Sequence, residues 1–524
     1  MQVVLSKAAV LLHVTVLVVF VGSGYCRSFA LSTYLPLIWL VLGLFEAICL
    51  FPPALKNERI EQSRWRVRRR LRRDPVFYLG LAGLLFLACQ ALNGPCELVY
   101  SRAAMGWQIQ PPPLPLLPFC LDRAEACEGL FWFAPAWAAV LAVRHGLTRR
   151  GKARTLNMLV LVSFVLAVFS LVHYAVGQPL RLWGAPDATR YGAFADAGSG
   201  GVFFGLAFFV SGGLLLHAWG GDATGTIRRR LYLAATLANL LAATFSLDDA
   251  ALLLVWGGGA LWGLYACVYL VQCLRGAARL RLFVGVLLIA GALAFLHRVA
   301  YPGNAVHERV RVLAAGGGLP GQQASTDRQV LRHGAWRAFL ANPAYGTGTR
   351  SFARVVGRHL DDSDWMRISP ANQQPTDCAN DPLQFLGEGG IVGGGVLLAI
   401  LALLWTPVIR RLHALFRLTP DQADALDPVR VKRISPLPVS CLFGLLGVSL
   451  VSFAGAPFRN PLILLVWAML LAILPALLPV PKLAAEAAAA TEDPQRRTGR
   501  RPFWRRWFRP RQARRAHHRM LAPC

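Results

Sequence analysis

Apolar runs of about 20 residues, the length that crosses a bilayer's hydrocarbon core, recur along this chain from near its start to residue 480. Short basic loops separate them. A soluble chain of 524 residues would be read as several domains. With 55% hydrophobic residues laid out in such runs, the reading is instead an all-α polytopic membrane protein. The net charge of +28 sits in the loops and the C-terminal tail, the footprint of the positive-inside rule. No soluble fold surrounds the basic runs, so nucleic acid is excluded as a partner and the lipid bilayer takes its place.

About twelve spans are expected: 8–25, 29–53, 76–93, 129–143, 156–177, 201–219, 231–247, 250–272, 282–296, 383–408, 437–454 and 460–480. The first carries one Lys and leads almost at once into the second, so it reads as a span and not as a signal peptide. Residues 56–74 hold nine Lys/Arg against three acids, the strongest cytoplasmic marker. With both termini cytoplasmic, every basic loop falls inside, and 94–128, 178–200 and 297–382 fall outside. The expected organisation is a nine-span bundle (1–296), a long outer loop containing short helices (297–382), a three-span bundle (383–480) and a basic tail (481–524). That tail has twelve Lys/Arg between Lys482 and Arg519, interleaved with aromatics, a composition suited to an anionic membrane surface or to a solvated tail.

Eleven cysteines form no CxxC pair and no zinc spacing, so no metal site and no cofactor is expected. Cys96, Cys120, Cys127 and Cys378 would face the outer side, where disulfides are permitted. A Cys120–Cys127 or Cys96–Cys127 bridge and free thiols all remain open. In the outer loop 94–128, Pro111 to Pro118 (PPPLPLLP) favours an extended strap.

The loop 297–382 has ten Arg, no Lys and seven acids. A planar guanidinium pairs with phosphate oxygens through two parallel hydrogen bonds, so this bias fits a diphosphate ligand. Arg usage is high throughout the chain and could give the same bias. Residues 325–343 read as a helix capped by Ser325 or Thr326 and stopped at Asn342-Pro343. A Gly-x-Gly turn follows, with Arg350 two residues beyond it. The stretch Asp377 to Leu398, DCANDPLQFLGEGGIVGGGVLL, then joins the loop to an apolar span.

That last stretch resembles the signature of the bacterial O-antigen ligase and O-antigen polymerase family: a His, then Asn, Ser or Gln, nine residues, Gly, two residues, and Gly, Thr or Val. Asn380, Gly390 and Gly393 stand at that spacing, and Ala379 stands where the family has His. Upstream, Arg332, Trp336, Pro343, Gly346, Gly348 and Phe352 are similar to the family's preceding segment. Arg190-Tyr191-Gly192 and Pro457-Phe458-Arg459 resemble two further stretches more weakly.

The resemblance implies a metal-independent glycosyltransferase of polysaccharide biosynthesis at the outer face of the bacterial inner membrane. It would move a glycan from an undecaprenyl-diphosphate carrier to a hydroxyl of a glycolipid or glycan acceptor. Ligase and polymerase both remain open. Arg190, Arg332 and Arg350 would bind the diphosphate. Asp381, Asp377 and Glu388 are candidate catalytic substitutes for the missing His, with His333 and His359 as further options. Asp381 also sits where it would cap the tenth span. Glu388, in an otherwise apolar run, would line a cavity or snorkel to the interface, and the glycines from Gly389 to Gly395 would permit close helix packing. A catalytically inactive glycan-binding subunit and a lipid-linked saccharide transporter are the alternatives. Nearly charge-free inner spans and the lack of a visible repeat weigh against transport.

Overall fold

The computed structural model describes residues 60–176, 191–219, 226–273, 322–368, 377–416 and 435–478, except Ala104, Pro111, Thr148, Ala193 and Ala195. Two helices open it: α1 (Ile60–Arg72), amphipathic and basic, and α2 (Pro75–Leu92), an apolar helix capped by Asp74. A β-hairpin follows, β1 (Leu98–Ser101) with β2 (Gly106–Ile109), in the register Leu98 to Ile109. The proline-rich segment, which turns with Leu117 N–H on Leu114 O at 3.1 Å where an extended strap was expected, then leads to α3 (Arg123–Leu141), which ends in a π-helical turn, Ala142–Gly146. Next come α4 (Arg149–Val176), α5 (Ala197–Trp219) and α6 (Thr226–Phe245). The short α7 (Asp249–Leu252) passes through a π-helical stretch into α8 (Gly259–Cys273). Between the bundle segments lie α9 (Gln322–Ala341), α10 (Phe352–Val355) and α11 (Asp362–Arg367). Last are α12 (Asp381–Phe416), α13 (Pro436–Val451) and α14 (Pro461–Leu477).

The chain is therefore a mostly helical protein with membrane-spanning character. Among the described residues, six helices are long and apolar enough to cross a bilayer: Pro75–Leu92, Arg123–Gly146, Gly151–Val176, Ala197–Trp219, Asp249–Val271 and Asp381–Ala414. That is half the expected number. The expected seventh span is α6, whose Arg228 to Arg230 and internal Thr and Asn lower its hydropathy. The eleventh and twelfth are α13 and α14, apolar but only 16 and 17 residues long. The first, second and ninth expected spans, Arg190 and the basic tail lie outside the described residues.

Helix α5 is the axis of this bundle, its residues buried within the protein from Gly200 to Leu216. Glycines allow that crowding. A Cβ on Gly205 would stand 2.7 Å from Leu254 Cδ2, one on Gly212 2.6 Å from the Trp262 ring, and one on Gly213 2.7 Å from Ser440 Cβ. The Trp262 indole N–H donates to Ser440 Oγ at 2.7 Å, so even the polar atoms of this contact are paired. Outward, α2, α4, α8 and α12 expose Leu85, Val165, Leu264 and Leu398, an apolar surface that fits hydrocarbon.

One end of the bundle is fastened by Asp74. Its carboxylate caps Val76 N at 3.1 Å, takes Arg144 Nε at 2.9 Å and Arg144 Nη2 at 3.2 Å, and lies 2.7 Å from His145 Nε2. Burial alone would raise its pKa; the His145 hydrogen bond and the Arg144 charge outweigh it and hold the carboxyl below its ordinary value. A carboxylate depressed in the folded state contributes stability above its unfolded pKa of about 3.9, and this is lost as pH falls through the folded value. Asp74→Asn should therefore unfold at lower temperature than wild type at neutral pH, with the gap closing below about pH 4. A gap unchanged down to acid pH in detergent melts would contradict this.

The glycine packing makes a second prediction. Gly205→Val should lower stability by about 1–3 kcal/mol through overpacking. Gly263→Ala, where a Cβ meets nothing within 4 Å, should leave the melting point unchanged or raise it slightly. Equal effects at the two sites would sink the packing account.

Candidate functional site

Helix α12 is broken close to its start. Asn380 caps it, its Oδ1 accepting Leu383 N–H at 3.0 Å. At Gly390 the backbone leaves the helix, with φ 62° and ψ −165°. A break at this point strands carbonyls on one side and amides on the other, inside a helix long and apolar enough to cross a bilayer. The segment after α9 supplies the partners. Thr347 N–H donates to the Gly387 carbonyl and Gly348 N–H to that of Glu388, each at 3.0 Å. In return, Ile391 N–H donates to the Pro343 carbonyl at 2.8 Å and Val392 N–H to that of Ala344 at 3.1 Å.

Glycine is required on both sides of this contact. Gly346 has φ 70°, and a Cβ there would stand 2.5 Å from the Glu388 carbonyl. A Cβ on Gly390 would stand 2.5 Å from both the Ala344 oxygen and the Gly346 nitrogen. Gly348, at φ 98°, rests on the backbone of Cys120, where a Cβ would approach to 2.8 Å. Gly393 packs on Phe86, as expected for a small residue between helices, but a Cβ on Gly395 would meet nothing within 4 Å.

Charged groups gather around the docked turn. Glu388 is 6% exposed; its Oε1 accepts Gln384 Nε2 at 2.8 Å and its Oε2 the Arg350 backbone N–H at 2.6 Å. It is a buried anchor and does not snorkel. Arg350 has φ 61°. Its guanidinium pairs with Glu128 and lies 4.1 Å from the Trp132 ring centroid. Beside it, Thr349 Oγ1 donates to Gln90 Oε1 at 2.6 Å. Among the described residues Gln90 Nε2 and Glu128 Oε2 are buried without a hydrogen-bond partner.

The N-terminal end of α12 is sewn to the end of α13 and to the turn before α14. Arg332 Nη2 donates to the carbonyls of Ala379 and Phe453, each at 3.0 Å. Asn380 Nδ2 donates to Phe453 O at 3.2 Å, and Asp381 N–H to Ser452 O at 2.9 Å. Asp381 is 1% exposed, and its Oδ2 accepts Phe458 N–H at 2.8 Å. The helix cap is thus Asn380, and Asp381 is a tie between helices. Ala379 has φ 50°, a left-handed backbone that His, Asn and Asp adopt more readily than Ala. Asp377 Oδ1 accepts Ala379 N–H at 3.1 Å, and its Oδ2 lies 3.7 Å from Arg459 Nη1.

Of the residues singled out from the sequence, Arg332, Asp377, Asn380 and Asp381 meet around one turn. Arg350, Glu388, Gly346 and Gly390 meet around the helix break, about two turns below along α12. Trp336 is 46% exposed and tilts against Phe339. His333 is exposed, and His359 lies near Arg337, its pKa lowered by burial and then by that charge. The sequence reading passed over Gln90, Glu128 and Arg459 as site residues. Glu128 falls one residue before the expected fourth span, because α3 begins at Arg123 and carries it inside. A lone Gln within an apolar run was the available signal for Gln90. Among the described residues, no group of three or more His, Cys, Asp or Glu could hold a metal ion.

Compared with models of known protein families and with curated proteins, the chain matches none.

Because Gly346 and Gly390 serve one contact, Gly346→Ala and Gly390→Ala should each cost about 2 kcal/mol or more, from left-handed strain and overpacking. The double variant should cost less than their sum. Thermal melts of the four proteins check this; additive losses would mean the two glycines act separately.

Proposed function

We propose that this chain transfers a glycan from an undecaprenyl-diphosphate carrier to an acceptor hydroxyl at the outer face of the bacterial inner membrane, in the manner of O-antigen ligases and polymerases. One observation carries the reading. Two stretches that resemble that family's motifs, 40 residues apart between Gly348 and Glu388, meet through paired backbone hydrogen bonds, Gly348 N–H to the Glu388 carbonyl being one of them at 3.0 Å. In this reading the full complement is about twelve spans, with both termini cytoplasmic and residues 297–382 periplasmic.

The diphosphate would lie above the turn 377–381. Arg332 and Arg459 flank that turn, and Arg190 would be a third cation. Arg350 has its guanidinium committed to Glu128 and Trp132, so its part is to hold the helix break. In the reaction the acceptor oxygen forms a bond to the anomeric carbon as the bond from that carbon to the phosphate oxygen breaks. The electron pair leaves with the diphosphate, where guanidinium groups stabilise the growing charge. The acceptor proton passes to a carboxylate. Asp377 suits this role best of the three candidates, its side chain being 35% exposed where Asp381 and Glu388 are buried. It stands two residues from Ala379, the place of the family's His.

A second reading has one observation behind it. Ala379 bears no side chain able to take a proton, and Arg332 and Arg350 already hold protein partners. That pattern also fits a glycan-binding subunit without catalysis.

Transfer from a synthetic undecaprenyl-diphosphate glycan in proteoliposomes separates the two. The transferase reading predicts turnover by wild type and a loss of about 100-fold or more in Asp377→Asn, the contribution of a general base. Ala379→His should keep or raise activity, since its backbone angle suits His. Wild-type transfer that persists undiminished in Asp377→Asn would overturn the assigned base, and binding without turnover would favour the non-catalytic subunit.

A further inference from the structure

Two cysteines in the loop that floors the Gly346–Gly348 turn lie side by side. Cys96 N–H donates to the Cys120 carbonyl at 2.9 Å. Residues joined this way have Cα atoms on the order of 5 Å apart, within the span of about 4.4–6.8 Å that a disulfide bridges. The Cys120 sulfur, a free thiol in this structure like that of Cys96, points at the segment leading to Cys96: a Cβ on Gly94 would stand 2.5 Å from Sγ and 2.7 Å from the Cys120 oxygen. Cys120 is fully buried and Cys96 is 8% exposed.

Their neighbours hold the two segments together from both sides. Asn93 Nδ2 donates to Leu114 O at 2.8 Å and Pro118 O at 3.2 Å, while its Oδ1 accepts Leu114 N–H at 3.0 Å. Arg123 reaches back to Ala91 O at 3.1 Å and Gly94 O at 2.6 Å. Cys127 is packed beside Cys120 from the second turn of α3. The 96–120 pairing is one that sequence spacing alone did not bring forward.

We propose that Cys96 and Cys120 are joined by a disulfide in the protein as it stands in the membrane, and that this bond fixes the floor beneath the Gly346–Gly348 turn. The link to the turn is direct, since Gly348 rests on the Cys120 backbone and Tyr345 OH donates to Leu116 O at 2.8 Å. The bond needs an oxidant, which is a disulfide-bearing thiol oxidoreductase on the outer face. One cysteine thiolate attacks the oxidant's disulfide, giving a mixed disulfide and one released thiol. The second thiolate then displaces the oxidant's other sulfur. Two electrons pass to the oxidant, and the two thiol protons end on its two thiols. This happens before the loop closes, because burial then pushes the Cys120 thiol up to about 12. A thiol so reluctant to ionise is a poor leaving group, and the finished bond resists reduction.

The proposal rests on residues 94–128 facing the oxidising side and not on glycan transfer; a linked pair in a protein without transferase activity would leave it standing. The test uses the full chain in its membrane. Cells are quenched in acid, unfolded with an alkylating agent and no reductant, and digested for mass spectrometry. The expected result is a peptide pair joined through Cys96 and Cys120, lighter by two hydrogens and lost on reduction. Cys441, buried in α13, should be alkylated in the same sample. In Cys96→Ser, Cys120 should appear as an alkylated thiol. Alkylation of both Cys96 and Cys120 in the unreduced wild type, or a link from Cys120 to Cys127, would overturn the proposal.

Discussion

Every backbone amide and carbonyl within a bilayer needs a partner from the protein, because hydrocarbon offers none. Helix α12 breaks at Gly390 and so frees several such groups at once. The break is stable because the backbone from Pro343 to Gly348 enters it and exchanges hydrogen bonds with both halves. An extraneous Cβ at Gly346 or Gly390 would hold the two backbones apart. The segment from Pro343 to Gly348 is thereby part of the helical bundle and not a cap laid over it. Helix α9 before it is tied in turn by Arg332 to the turn at Ala379 and by Arg328, 3.4 Å from Asp249, to the start of α7.

The charges follow from the same constraint. Glu128 and Glu388 are buried in apolar helices, where an isolated carboxylate would be costly. Arg350 answers both, its guanidinium pairing with Glu128 and its backbone N–H meeting Glu388. One residue in a left-handed conformation thus serves two helices, and it can do so only while the Gly-x-Gly turn stays docked. Breaking such a buried pair by removing one partner is far more damaging than the pair is stabilising. Arg332 and Arg459 gather instead at the start of α12, Arg332 on the Ala379 and Phe453 carbonyls and Arg459 3.7 Å from Asp377.

Much of this was legible in the sequence, and the limits are physical. Run length and loop charge gave a helical membrane protein, and residues 325–343 read as the helix that α9 is, shifted by three residues at its start. Asn380, Gly346, Gly348 and Gly390 stood out by spacing. The use of Gly390 did not: a glycine in an apolar run serves close packing or a break equally well, and only the partner segment decides. Hydropathy could not separate α13 and α14 from full-length spans, since their apolar runs extend past the helix ends. Nor could it find the β1–β2 hairpin, whose strands are four residues each. Glu128 was missed because a charge at the edge of an apolar run reads as the end of a helix.

Amide hydrogen exchange across residues 343–350 and 387–393, followed by mass spectrometry in lipid nanodiscs, tests the central contact most directly. Thr347, Gly348, Ile391 and Val392 should exchange as slowly as amides in the middle of α5. Exchange at the rate of an open loop in either segment would mean that the break in α12 is not filled by the turn, and the account of the site built on it would fail.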